Sequence, residues 1–190
     1  MPMRDIISGK KKLVFATGNH GKFTEAKKFF GNIFDMEMYS SGYPEVQTDE
    51  LEDVVISGMD YLKSYINGAF MLDDTGLFIE HLNGFPGVYS AYVQKTLGNN
   101  GILRLLEGVK ERRAYFKTVI GYFDGEKEHL FRGICPGNIA IKETGERGFG
   151  YDPIFVPFNT DKTLADMDTD EKNIISHRGR ALVYMKEAIR

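Results

Sequence analysis

The sequence contains a single cysteine, Cys135. No disulfide can form within the chain, and a lone thiol suits a reducing cytoplasm better than secretion. The sequence also lacks an excess of positive charge: 24 Lys and Arg stand against 27 Asp and Glu, a net charge of −3. That leaves no basic footprint for nucleic acid, so any phosphate must be met by a few local cations. No apolar run approaches the roughly 20 residues that cross a bilayer as a helix, so no membrane anchor is expected. Residues 1–12 carry Arg4, Lys10, Lys11 and Lys12 with no apolar stretch among them. They read as a short extension rather than a signal peptide. Internal repeats and low-complexity segments are absent.

What remains is an ordinary globular composition, 42% apolar and 27% charged over 190 residues. A chain of this length buries a core without disulfides, and residues 13–190 are expected to form one domain.

The chain begins with βα units. Leu13 to Ala16 is β-rich and breaks at Thr17-Gly18-Asn19, and a helix is expected from Lys22 to Phe30 on the spacing of Phe23, Ala26, Phe29 and Phe30. Met36 to Tyr39 reads as a second strand. The acidic loop Pro44 to Asp49 leads to a helix over Leu51 to Ile66, stopped by Asn67-Gly68. Ala69 to Leu72 is a short strand running into Asp73-Asp74-Thr75-Gly76, with Leu77 to Ile79 following. Asn83 to Gly87 is a turn cluster, and Asn100 to Leu106 reads as helix. Ala114 to Phe123, Lys127 to Arg132 and Asn138 to Ile141 form an antiparallel meander, with Asp124-Gly125 as a hairpin turn. Gly145 to Pro157 is irregular, and Arg178 to Ile189 closes the chain as a helix. The pattern predicts an α/β fold, a twisted mixed sheet with flanking helices and a cleft.

Four constellations carry chemistry. In TGNHGK, Thr17, Gly18, Asn19, His20, Gly21 and Lys22, a strand breaks into a small-residue turn and a helix. Free backbone N–H groups and the helix dipole favour an anion there, and Lys22 adds a formal charge. The P-loop spacing is absent, and a glycine- and asparagine-containing turn that merely reverses the chain serves equally well. In DDTGL, Asp73 and Asp74 adjoin at a strand end, where like charges cost energy unless a cation or donors neutralise them. Hard oxygens suit Mg²⁺, and a carboxylate could take a proton from water. A solvated turn is the plainer alternative.

In GFGYDP, Phe149, Gly150, Tyr151 and Asp152 place aromatic rings on a backbone that can approach a ligand closely. Taken alone, rings plugging the core explain it better. In EKNIISHRGRAL, Ser176 reads as an N-cap, which puts His177 and Arg178 in the first helical turn against the dipole. A nearby anion or acceptor-rich base would offset that cost, as would exposure to water.

These blocks, with LNGFPGVYSAYV between them, resemble the Ham1 / inosine triphosphate pyrophosphatase family, also called XTP/dITP diphosphatases, from about Leu13 to the C-terminus. The resemblance implies an enzyme that hydrolyses ITP, XTP and their deoxy forms to monophosphate and pyrophosphate, with Mg²⁺, as a homodimer. It implies an elongated mixed sheet with two lobes and the active site between them. Carried onto this sequence, residues Thr17 to Lys22 would hold phosphates, Asp74 would be general base and metal ligand with Asp73 beside it, and either Asp74 or Asp73 would help deprotonate the attacking water. Thr75 would touch substrate, and Glu45 would be a second metal ligand. Phe149 to Asp152, Lys172, His177 and Arg178 would bind the nucleotide. The family usually carries a phosphate-facing lysine where this chain has Asp60, with Lys63 nearly one helical turn on.

The expected selectivity follows from hydrogen bonding. Hypoxanthine and xanthine offer a 6-keto acceptor to Arg178 and His177, whereas adenine offers an amino donor. Such a mismatch costs about 1–3 kcal/mol. Guanine shares the 6-keto group, so its rejection needs crowding around its 2-amino group. A Maf-like pyrophosphatase for other modified nucleotides is an alternative. A nucleotide-binding module without turnover ranks lower because both Asp73 and Asp74 are present.

Overall fold

The computed structural model describes residues 10–189, so most of the expected extension and Arg190 lie outside the described residues. The first strand, β1 (Lys11–Ala16), takes in the last two residues of that extension, because Lys11 and Lys12 pair with Phe34 and Asp35. There follow α1 (His20–Phe30), β2 (Phe34–Tyr39), α2 (Leu51–Leu62), β3 (Phe70–Ile79), β4 (Pro86–Gly87), α3 (Ser90–Thr96), α4 (Gly98–Leu105), β5 (Arg113–Phe123), β6 (Glu128–Ile139), β7 (Phe155–Pro157), α5 (Thr169–Ile175) and α6 (His177–Ala188).

The strands form one mixed sheet in the order β2-β1-β3-β5-β6-β7, with β4 also pairing β3. β1 runs parallel to β2 and β3 because helices α1 and α2 carry the chain back between them. The later strands are antiparallel. The β5–β6 hairpin turns at Asp124, whose carboxylate accepts from the N–H groups of Glu126 and Lys127 at 2.8 and 2.7 Å. Gly125 there adopts φ +108°, a conformation that glycine enters without steric cost.

Alternation along β3 sorts the core. Leu72 faces Val55, Met59 and Leu62 of α2. Met71 faces the other way, into a cluster with Phe15, Phe30, Ile120, Leu182 and Met185. Leu77 and Ile79 share that second face further along, packed with Val93, Ile102, Phe116, Tyr151 and Phe155. Two apolar lobes thus occupy one face of the sheet. Between them on β3 and β5 sit Asp73, Thr75 and Thr118, and the two threonine hydroxyls meet at 2.7 Å.

Several expectations are corrected. Asp73 to Gly76 is neither a turn nor a strand end. β3 runs unbroken, each residue from Phe70 to Ile79 paired with β5 from Phe123 to Ala114. A full ladder overrides the turn preference of Asp-Thr-Gly, and tertiary cations absorb the charge of Asp73. β6 likewise continues through Gly133 and Pro136. Gly133 is there for close packing: a Cβ would lie 1.9 Å from the His177 carbonyl oxygen. α1 begins at His20, α2 ends at Leu62, and the short helices α3 and α5 carry too little periodicity to be read in advance.

Candidate active site

β1 stops at Ala16, opposite Leu72, and the antiparallel β4 ends at Gly87, opposite Leu77. From Asp73 to Gly76, β3 is therefore paired only on the β5 side, and its other edge faces a gap in the sheet. The gap lies beyond the carboxyl end of a parallel strand, where α/β sheets place ligands. A cleft of about 330 Å³ opens there, lined among others by Asn19, Lys22, Asp74, Thr75, Phe149, Asp152, His177 and Arg178.

One wall is the start of α1. Asn19 caps the helix, its side-chain oxygen accepting from the Lys22 N–H at 3.1 Å, while Thr17 Oγ1 accepts from the Asn19 N–H at 3.1 Å. The Lys22 ammonium crosses to β3, 3.1 Å from Asp73 Oδ1. It is out of line for a hydrogen bond to that oxygen and donates instead to the Asp73 carbonyl at 3.4 Å. Gly18 and His20 are exposed and lie outside the cleft lining.

The adjacent carboxylates have opposite fates because neighbours on a strand point to opposite faces. Asp73 is buried between Lys22 and Arg178, whose Nε donates to Oδ2 at 2.9 Å. Burial alone would raise its pKa, but those two cations hold it below the usual carboxylate range. Asp74 has no such clamp. Its Oδ1 accepts only from the Thr75 N–H, at 2.8 Å. Burial, with the charges of Asp73 and Glu45, pushes it up to about 6 against the pull of Lys22. Glu45 is exposed on the loop before α2, near enough for its charge to reach both Asp74 and the Tyr43 phenol.

The other wall is a chain of alternating charges. Asp152 accepts from the Phe149 N–H at 2.8 Å, closing the turn in which Gly148 and Gly150 take φ +75° and +62°. Lys172 Nζ bridges Asp152 and Glu25, each at 2.7 Å, and Glu25 takes Arg178 Nη1 at 2.8 Å. Arg178 donates further to Asp73 and, at 3.2 Å, to Thr75 Oγ1. Three of its five N–H groups are thus used, and two remain. The Phe149 ring lies under these cations, its centroid 4.5 Å from Lys172 Nζ and 5.4 Å from the Arg178 guanidinium. It also abuts α1, where a Cβ on Gly21 would sit 2.5 Å from the ring.

His177 and Arg178 do open α6, with Ser176 as N-cap accepting from the Gly179 N–H at 3.1 Å. The anion offsetting Arg178 belongs to the protein itself: Asp73 and Glu25. His177 is no cation, because burial and then Arg178, Lys172 and Lys22 drive its pKa well down. Its ring stacks on Phe116 at 4.4 Å, and Nδ1 is buried without a partner among the described residues. Tyr151 is a core residue, 4% exposed, its hydroxyl donating to the Ser90 carbonyl at 2.9 Å; only an edge of it lines the cleft. Lys63 does not take the place of the missing lysine. It pairs with Asp60 and Glu128 over the Phe123 ring, away from the cleft.

Glu25 went unread in the sequence, although it stands one helical turn after Lys22 and so on the same face. Gln94 and Phe116 also line the cleft, and no motif marked them; Ser90, inside the LNGFPGVYSAYV block, lines it too without having been given a role. A larger hollow of about 490 Å³, bordered by Pro136, Phe158 and Ile174, holds none of the groups above.

The fold and cleft are those of an α/β protein with an anion-ready helix start, an unclamped carboxylate and an aromatic platform around one cavity. The Ham1 family model matches residues 13–188, and the chain belongs to the Ham1 family. It is 54% identical to a dITP/XTP pyrophosphatase of Thermococcus kodakarensis over 173 residues, 90% of this chain and 93% of that one. It is 49% identical to the dITP/XTP pyrophosphatase of Pyrococcus horikoshii, over 90% of this chain and 92% of the relative. The solved Ham1 protein of Staphylococcus aureus superposes with a TM-score of 0.81 at 32% identity, covering 94% of this chain and 98% of that one. A nucleoside-triphosphatase / dITP/XTP pyrophosphatase of Mycobacterium abscessus superposes with a TM-score of 0.68 at 30% identity, over 94% and 100% of the two chains.

Proposed function

We propose that this chain hydrolyses non-canonical purine nucleoside triphosphates, ITP, dITP and XTP, to the monophosphate and pyrophosphate. The reading rests on one observation: Asp74, unlike Asp73 and Asp152, is clamped by no cation, and it lines the same cleft as Lys22 of α1 and the Phe149 ring. The named activity of the two archaeal relatives supports the same reading.

The triphosphate lies along the start of α1, where the backbone N–H groups and Lys22 meet its charge. Asp74 takes the proton of a water that attacks the α-phosphorus. A carboxylate lifted to about 6 is a better base near neutral pH than one at its ordinary value, yet is still mostly ionised there. Asp73 has a different part, its charge holding Lys22 and Arg178 in place. The purine stacks on Phe149.

Among the described residues no three His, Cys, Asp or Glu side chains form a metal cluster. The donor set nevertheless fits Mg²⁺, which is commonly held by one or two carboxylates with phosphate oxygens and waters. Asp74 and Glu45, whose mutual repulsion helps raise Asp74, would hold it. Bound there, the ion supplies charge neutralisation for the phosphates and the leaving pyrophosphate.

For the base, the two free N–H groups of Arg178 offer donors to a 6-keto group, joined by the orphaned His177 Nδ1 when the neutral ring carries its proton there. Adenine would leave them unpaired. A cytoplasmic nucleotide pool is the place of action proposed, in keeping with the lone free Cys135. No helix among the described residues is long and apolar enough to cross a membrane. A homodimer is the expected assembly, testable by light scattering. The deciding experiment is pyrophosphate release from ITP, dITP, XTP, dTTP, GTP and ATP, with and without Mg²⁺. Metal-dependent release from the first three, at least about tenfold above ATP, is expected; equal rates across the panel would overturn the reading.

A further inference from the structure

The Gly150 carbonyl, between Phe149 and Tyr151, accepts two side-chain amides. Gln94 Nε2 of α3 reaches it at 3.1 Å and Asn99 Nδ2 of α4 at 3.2 Å. Both residues come from the segment between β4 and β5, distant in sequence from the loop they hold.

The orientation of both amides follows from their shared partner. Rotating either one would set an amide oxygen against a carbonyl oxygen, so the nitrogens must face Gly150. Each amide oxygen is then buried without a protein partner among the described residues. A buried acceptor left unpaired costs stability, so spending two amides on one carbonyl is a poor way merely to fill a core. What the arrangement does fix is a backbone. Gly150 sits at φ +62°, where a glycine is otherwise free to move. Pinning its carbonyl on one side, with Asp152 holding the Phe149 N–H on the other, sets the plane of the Phe149 platform. Tyr151, tied to Ser90 of α3, anchors the same loop in the same direction.

We propose that Gln94 and Asn99 are positioning residues for nucleobase recognition, locking the Phe149 loop through the Gly150 carbonyl. This rests on the reading of the cleft as a purine nucleotide site and adds the device that holds its aromatic wall. Neither amide touches the phosphate wall, so the effect is confined to the base end of the substrate.

The test uses the full chain with Gln94→Glu, which keeps the shape and removes the amide donor, and the double variant Gln94→Met/Asn99→Leu. Three quantities are measured: KM and kcat for ITP, the inhibition constant of IMP, and that of inorganic pyrophosphate. In the double variant KM for ITP and the IMP constant should rise together by about tenfold or more, roughly two hydrogen bonds' worth. The kcat and the pyrophosphate constant should stay within about twofold of wild type. Gln94→Glu, which sets a carboxylate oxygen against the Gly150 carbonyl, should move the same two quantities in the same direction. A merely structural role would lower the melting temperature and the active fraction, hence kcat, and leave KM unchanged. That outcome overturns the proposal, as does equal weakening of IMP and pyrophosphate. A wild-type chain that neither hydrolyses ITP nor binds IMP brings down the functional reading, and this inference with it. Normal wild-type turnover with unaffected variants brings down this inference alone.

Discussion

Arg178 Nε stands 2.9 Å from Asp73 Oδ2, joining the first turn of the last helix to the middle of the central strand. The pair is buried, and Lys22 closes on the same carboxylate from α1. Three segments remote in sequence therefore meet at Asp73. Its neighbour Asp74, pointing to the other face, has no cation paired to it and accepts only from the Thr75 N–H.

Asp73→Asn keeps the shape and removes the charge between Lys22 and Arg178. Stripping one partner from a buried ionic network costs about 3–5 kcal/mol. Urea unfolding followed by circular dichroism should show a loss of that order. A loss below about 1 kcal/mol would mean that the network is not what holds β3, α1 and α6 together.

Asp74→Asn should lower turnover on ITP by at least about a hundredfold, the usual contribution of a positioned base or more. The folded structure should remain. Pyrophosphate release at saturating ITP and Mg²⁺, beside an unchanged circular dichroism spectrum, is the check; near-wild-type kcat would reassign the base.

Stability should depend on pH through the same residue, with a definite sign. Asp74 rises from 3.8 to about 6 on folding, so the folded state favours its protonated form. As pH climbs from about 4 to 6 the unfolded chain loses the proton first, and this group's contribution falls. Above pH 6 the whole cost persists, on the order of 1–3 kcal/mol. Asp73 and Glu25, held low by their cations, act in the opposite sense, losing their contribution as pH drops through their folded values. Comparing wild type with Asp74→Asn cancels the latter. In chelator, the variant should be more stable than wild type at pH 7, by more than at pH 4. The reverse order would contradict the raised pKa.

Gly21→Ala separates binding from stability. The new Cβ would lie 2.5 Å from the Phe149 ring, forcing the platform to shift. Alanine at a helical position otherwise gains up to about 1 kcal/mol over glycine. The variant should melt no lower than wild type, yet show KM for ITP raised several-fold, about 1 kcal/mol of lost stacking. An unchanged KM would remove Phe149 from the base site.

Gly179→Ala should act on the frame instead. Its Cβ would fall 1.8 Å from the Asn173 carbonyl oxygen, which is backbone and cannot turn aside. Separating α5 from α6 should cost about 1–3 kcal/mol or more. Thermal melting measures it, and a neutral result would mean that the two helices can part without strain.

Much of the site was legible because its chemistry sits in short contiguous blocks. The Ser176 cap and the glycine-flanked Phe149 lie where local rules put them. Less was legible where strands carry breakers. Gly133 and Pro136 look like interruptions of β6, yet β5 pairs straight through them. Asp73-Asp74-Thr75-Gly76 looks like a turn because the residues that neutralise Asp73 lie far away in sequence.

Local preference therefore told which segments could hold a phosphate, a proton or a ring, since caps, turns and periodicity act over a few residues. Whether two such segments meet, and with what charge, depends on side chains brought together by the sheet, which no local rule contains. Asp73 and Asp74 are equivalent as letters; β3's alternation and the arrival of Lys22 and Arg178 make one a strut and leave the other without a paired cation. Glu25, an unremarked helix residue, becomes the hinge of the charge chain only because Lys172 and Arg178 fold onto it. Burial lifts Asp74 while gathered cations hold Asp73 and Glu25 low, and both effects exist only once the chain has closed.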